Sequence, residues 1–152
     1  MRRADREVTD RTEMEAIIHE ARFCTLAMNA ENEPYAVPLS FGYESGRVYV
    51  HGANQGHKTD LLRRDPRVCL TFVSRCETIM ADQPCFGTTL YASVIATGIA
   101  RFVTDATEKQ HGLDVLMAEH GAPGAHTYDA GTMKATQIIA VDIISMTGKR
   151  LG

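Results

Sequence analysis

The sequence predicts a mainly β protein, a six-stranded antiparallel split β-barrel with peripheral helices. Three observations carry this. Short runs of alternating or apolar residues recur along the chain, separated by turn clusters. Only two long segments show helical periodicity, and both begin with a capping residue. Finally, 152 residues with 44% hydrophobic content suffice for one domain, 1–152, with a real core.

The elements follow in order. Thr9-Asp-Arg-Thr-Glu13 opens a helix over about 10–22, in which Asp10 caps the first turn and Glu13 closes a capping box. Met14, Ile17, Ile18 and Ala21 supply its apolar face. Phe23–Met28 reads as a strand, followed by the turn set Asn29-Ala-Glu-Asn-Glu33. Pro34–Tyr43 and Arg47–His51 follow as two further strands around a turn at Glu44-Ser-Gly46, giving an antiparallel meander. Pro38 lacks an N–H, so the ladder must break there or face outward, and such a place suits a ligand that meets the backbone. Lys58–Arg64 is a short helix stopped by Asp65-Pro66, and Arg67–Val73 is a fourth strand. Arg75–Thr88 reads as irregular. Thr89–Val103 is a long strand with Gly98 as its natural bend. Thr104 or Asp105 caps a helix over about 105–120, Gly121–Gly131 is a polar loop, and Gln137–Met146 is the last strand.

Charge and composition restrict the function. A net charge of −3 argues against a nucleic-acid binder. Arg2, Arg3 and Arg6 form a small basic patch that reads as a solvated terminus. There is no apolar signal region and no run of the roughly 18 apolar residues a membrane span needs, so a cytoplasmic location is expected. Cys24 and Cys69 lie in apolar runs and read as small core residues. Cys76 and Cys85 flank a loop and could meet through a disulfide or a metal, although their spacing does not suit structural zinc. His111, His120 and His126 share no ligand spacing and read as surface residues; no metal site is expected.

The most informative stretch is Val48-Tyr-Val-His-Gly-Ala-Asn-Gln-Gly-His-Lys58. A strand ends in small residues, which then deliver His57 and Lys58 to the start of a helix. Small residues admit a ligand close to the backbone, free helix N–H groups favour an anion, and lysine adds a point charge. That is phosphate-binding chemistry. Lys58 as a solvated helix-start lysine, His57 as a backbone cap, His51 as a half-buried strand histidine and Ser93 as a small barrel residue are the plainer alternatives. Tyr49 and Tyr91 read as core aromatics.

Taken in order, Pro34-Tyr-Ala-Val-Pro-Leu-Ser40, Val48-Tyr-Val-His-Gly-Ala53, Gly56-His-Lys58, Asp65-Pro-Arg-Val68, Tyr91-Ala-Ser-Val-Ile-Ala-Thr-Gly98 and Met146-Thr-Gly-Lys-Arg150 resemble the flavin-binding split-barrel superfamily of pyridoxamine 5'-phosphate oxidase, in its nitroimidazole-resistance branch. The resemblance implies a homodimer with FMN at the subunit interface. It implies that Val37, Pro38, Leu39 and Ser40 lie along the isoalloxazine ring. His51, Gly52, Ala53, His57 and Lys58 would hold the phosphate end, and Ser93 and Val94 would come from the neighbouring strand. Position 92, often a large basic residue in that branch, is Ala92, and the chain has no tryptophan to stack on the ring.

The expected activity is an FMN-dependent oxidoreductase reducing a small organic acceptor, with nitro reduction suggested by the resemblance alone. No G-x-G-x-x-G is present, so a nicotinamide donor would have to dock transiently over the flavin. No catalytic residue is assigned. The alternative is a non-catalytic module that carries or senses a flavin, or holds a haem through a histidine. A B6-vitamer oxidase is disfavoured, because no arginine-and-histidine set for a substrate phosphate stands near the C-terminus.

Overall fold

The computed structural model describes residues 3–31 and 33–152; Arg2 of the basic patch and Asn32 of the first turn lie outside them. The strands are β1 (Glu7–Val8), β2 (Cys24–Met28), β3 (Tyr35–Leu39), β4 (Phe41–Glu44), β5 (Arg47–Ala53), β6 (Arg67–Ile79), β7 (Thr88–Phe102) and β8 (Thr136–Leu151). The helices are α1 (Arg11–Glu20), α2 (His57–Arg64), α3 (Ala106–Glu119) and α4 (Ala130–Ala135). All strand pairings are antiparallel, in the order β3-β2-β6-β7-β8-β5-β4, with β1 added to the far end of β8.

The mainly β split barrel is therefore as expected, but the described residues form eight strands where six were read. One addition is β1. Glu7 and Val8 pair with Lys149 and Gly148, which ties the chain down from there on, while Arg3, Ala4 and Asp5 before them are exposed. The other comes from Pro34–Tyr43, which is two strands. β3 pairs with β2 at one edge of the sheet and β4 with β5 at the opposite edge. Ser40 alone joins them, so the sheet curls until its edges meet at this residue. Pro38 sits on edge strand β3, opposite Thr25, where the ladder runs on one side only and a strand proline is tolerated.

The segment read as irregular from Arg75 is largely strand. β6 continues to Ile79 and pairs with β7 back to Thr88, after a bulge between Val73 and Arg75. A second bulge falls at Thr97/Gly98, where β7 meets β8 and where the bend was expected. Short α4 was missed, lying across the end of the Gly121–Gly131 loop and the unassigned residues before Gln137; Asp129 caps it by accepting from the Thr132 N–H.

Caps fix the helices. Asp10 accepts from Thr12 N–H and Asp105 from Glu108 N–H. Glu13 does not complete the expected capping box; it instead accepts from Arg150 Nη1 at 2.7 Å, tying α1 to the end of β8. The core is the inner face of the sheet, closed by α1: Ile17, Ile18, Leu26, Phe41, Leu70, Phe72, Val94 and Val141 are fully buried or nearly so. Phe41 and Phe72 meet edge to face at 5.0 Å between ring centres. A smaller cluster of Tyr49, Val115, Ile138 and Ala140 lies under α3, so Tyr49 is a core aromatic as read. All four cysteines are free. Cys24 is buried, and burial pushes its thiol up to about 12. Cys69 is only half-buried, not core, because it points to the outer face. Cys76 and Cys85 are exposed and unbridged.

Candidate phosphate cradle at the start of helix α2

The residues flanking the Ala53–Gly56 turn converge. β5 ends at Ala53, and Gly56 turns the chain into α2 with φ of +132°, a conformation that L side chains rarely adopt. The N-cap residue of α2 is Gly56, with no side chain to cap it, so the amides of the first turn keep their capacity to bind an anion. Thr59, almost wholly buried, donates to the Ala53 carbonyl at 3.4 Å and pins the turn to the helix.

Lys58 is the central residue. Its side chain is half-buried and folds back over β5, with Nζ 3.5 Å from the His51 carbonyl oxygen. A Cβ added at Gly52 would come within 2.9 Å of Nζ, so Gly52 makes room for the ammonium. Partial burial pushes the Lys58 pKa down, and no carboxylate compensates among the described residues. A charge desolvated without a counter-ion is costly; a bound anion would repay that cost. His51 lies beside it. Burial of the ring, then the positive charge of Lys58, then His120, lower its pKa, which favours the neutral imidazole.

His57 is exposed and meets the Tyr35 ring edge to face at 4.6 Å, bringing β3 to the helix start. Tyr35 was not singled out from the sequence as a site residue. Nor was Asn54, whose side-chain amide donates to the Lys134 carbonyl and fixes the turn from α4. Arg63, which stacks over Phe102 and donates to the Asn54 carbonyl, was likewise not recognised. The position of Asn54 inside a strand-to-helix turn is the one sequence signal that pointed to it.

Strand register separates the remaining residues by face. Leu39, Cys24, Phe72, Val94 and Gly148 form one cross-strand row, and Val37, Leu26, Leu70, Ala96 and Met146 another. Both rows point inward. Val37 and Leu39 are half-buried against the core, and Val94 is fully buried between β6 and β8, so its side chain offers no face to a ligand. Pro38 and Ser93 point outward, with Ser40 exposed between the sheet edges. Ser93 is on β7, three strands from β3, so one chain does not gather it with Lys58. Ala92 is buried among core residues.

The middle of the outer face is uncharged, while Lys149 and Glu7 stand beside Ser93 and Arg67 and Asp142 beside Ile99 in register. Thr25, Ala27, Cys69, Thr71, Val73, Ile95, Thr97, Ser145 and Thr147 occupy successive outward positions of β2, β6, β7 and β8. Val73, Ile95, Ile99 and Ile144 are exposed there, at 46%, 48%, 38% and 71%. No group of three or more His, Cys, Asp or Glu side chains suited to a metal occurs among the described residues. Among the described residues, no helix is long and apolar enough to cross a membrane.

An antiparallel barrel split at Ser40 defines a fold class that known proteins share. Residues 10–150 match the family model described as pyridoxamine 5'-phosphate oxidase, and this chain belongs to that family. A candidate 5-nitroimidazole antibiotic resistance protein from Bacteroides thetaiotaomicron is 30% identical, with 94% of this chain and 85% of that one covered and a TM-score of 0.84. The flavocytochrome Anf3 from Azotobacter vinelandii shares the fold at 21% identity, covering 100% of this chain and 72% of that one, with a TM-score of 0.86. The FAD and heme binding protein from Mycobacterium smegmatis does so at 18% identity, covering 95% and 73%, with a TM-score of 0.80. No curated protein matches this chain.

Proposed function

We propose that this protein is an FMN-binding oxidoreductase that passes electrons from a reduced donor to a small organic acceptor, acting as a homodimer with the flavin shared between subunits. The observation that carries this is the half-buried Lys58 ammonium, held over Gly52 at an uncapped helix start with no carboxylate partner among the described residues. An FMN phosphate, with about two negative charges at neutral pH, suits such a place. The split-barrel family and the flavin proteins among its structural neighbours support the same reading.

In this reading Lys58 and the α2 amides hold the phosphate, and His51 and His57 line its approach. Pro38 and Ser40 present an edge strand to the ring, while Ser93 stands on the outer face where the second copy packs. The outer face, with its exposed apolar side chains, is the surface the second copy covers, which removes Val73, Ile95 and Ile144 from water. The flavin supplies the redox chemistry; the chain binds it, orients it and limits solvent access. A nitro compound is the favoured acceptor, on the likeness to the Bacteroides protein. A reduced nicotinamide donor docks transiently.

The test is reconstitution with FMN followed by turnover with a reduced nicotinamide and a nitroaromatic acceptor. Saturable flavin binding with turnover supports the proposal; binding without turnover on any donor and acceptor pair leaves a flavin carrier instead.

His57 separates binding from chemistry. It belongs to the phosphate end, far from the reactive edge of the ring, so His57→Gln should lower FMN affinity but retain the rate of flavin reduction at saturating FMN. Stopped-flow reduction is the measurement. A loss of about a hundredfold at full occupancy, in the range of general acid–base catalysis, would make His57 catalytic.

A further inference from the structure

Among the described residues, no strand flanks the hairpin formed by the ends of β6 and β7. β2 pairs with β6 only from Val68 to Phe72, and β8 reaches β7 only as far as Tyr91. Residues 76–90 therefore form a two-stranded arm, and an isolated two-stranded ribbon is marginal in water. Its tip is apolar: Ile79, Met80 and Phe86 are 42%, 74% and 72% exposed. At the other end of the same outer face lies a cavity of about 510 Å³. Ala27, Cys69, Gly98, Ile99 and Ile144 are among its mostly apolar lining.

We infer that the arm of one copy seats its Met80–Phe86 tip in this cavity of the second copy, and the reverse. The inference rests on the homodimer proposed above and adds which parts of the two chains meet. Register argues for it. Val73 and Ser93 face each other across β6 and β7. Along β6, Val73 stands six residues from Arg67 at the cavity and six from Ile79 at the arm. Along β7, Ser93 stands six residues from Ile99 and six from Gly87. At ~3.3 Å per residue, arm tip and cavity are each about 20 Å from that midpoint. A two-fold axis between two outer faces, crossing the strands at Val73 and Ser93, lays each arm over the other copy's cavity. Such an interface is isologous and closes on itself. The charged side chains nearest that midpoint are Lys149, beside Ser93 in register, and Glu7, beside Lys149, so opposite charges stand next to each other there.

The chain carries its own probes. Cys85 precedes Phe86 on the arm and Cys69 lines the cavity, whereas Cys24 is buried and unreactive. In the FMN-loaded protein, a short bismaleimide should link Cys69 of one copy to Cys85 of the other. The product should vanish in Cys69→Ser and in Cys85→Ser and persist in Cys76→Ser. Sedimentation equilibrium should show Phe86→Asp and Met80→Asp each weakening the dimer at least tenfold. Both positions are solvent-exposed in the single chain, so an unchanged circular dichroism spectrum will show that folding is intact. A dimer with unchanged affinity in both variants, or one linked only through Cys76 or Cys85 to Cys85, overturns the arm exchange and leaves the homodimer standing. A wild type that stays monomeric overturns both.

Discussion

Lys58→Ala is expected to weaken FMN binding by roughly tenfold to a hundredfold, more than His57→Ala does. A hydrogen bond from a charged donor contributes about 1.5–3 kcal/mol against about 1 kcal/mol for a neutral one. Each 1.4 kcal/mol is roughly a factor of ten in affinity. The lysine effect should lie in the upper part of that range, because its ammonium is partly desolvated and unpaired by any carboxylate among the described residues. Gly52→Ala is the companion variant. A methyl there would meet Nζ at 2.9 Å and the adjoining Cε at 3.3 Å. The flexible lysine would swing away, so this change should reproduce part of the affinity loss at little cost in stability. Fluorescence titration of the three variants checks both expectations. Equal FMN affinity in wild type and Lys58→Ala would remove Lys58 from the site.

Gly42→Val is expected to destabilise the fold severely, by about 3 kcal/mol or more out of the roughly 5–15 kcal/mol typical of a domain. Gly42 is the contact between β4 and α3. A Cβ there would lie 2.6 Å from Leu116 N, 2.7 Å from Leu116 Cα and 2.7 Å from the Val115 carbonyl carbon. These are backbone atoms, so no side-chain rotation relieves the clash. The helix must move away from the sheet, exposing Val115 and Leu116, which are buried against it. Gly42→Ala should show a smaller loss of the same kind. Urea unfolding followed by circular dichroism gives the result, and an unchanged midpoint for Gly42→Val would contradict the tight packing of α3 on β4.

Local patterns in the sequence were enough to read α1, α3 and most strands. Asp10 and Asp105 stand where they cap, and alternation along Thr88–Phe102 is the pattern of a strand with one buried face. What escaped was long-range. Nothing local distinguishes Pro34–Tyr43 as one strand from two strands on opposite sheet edges. That depends on which strands Leu39 and Phe41 find, Cys24 for one and Val50 for the other. Arg75–Thr88 was read as irregular for its Asp82, Pro84 and Gly87, which mark only the turn at the tip between β6 and β7. Likewise Glu13 has the spacing of a capping box, but Arg150, distant in sequence, takes its carboxylate.

The site was partly legible for the same reason. Gly52, Gly56, His57 and Lys58 lie within one short segment whose chemistry is local, and the structure brings them together. Val94 was named by its place in a motif, yet strand alternation puts its neighbour Ser93, not Val94 itself, on the outer face. Reading the alternation of β7 from Ala92 onward would have separated the two.

The visible absorption spectrum of the protein purified without added cofactor tests the central claim most directly. The account predicts the paired near-ultraviolet and blue bands of oxidised flavin, bleached by a chemical reductant and released as FMN on denaturation. A Soret band with no flavin bands, or a protein that stays colourless and takes up no FMN when titrated with it, would contradict the account.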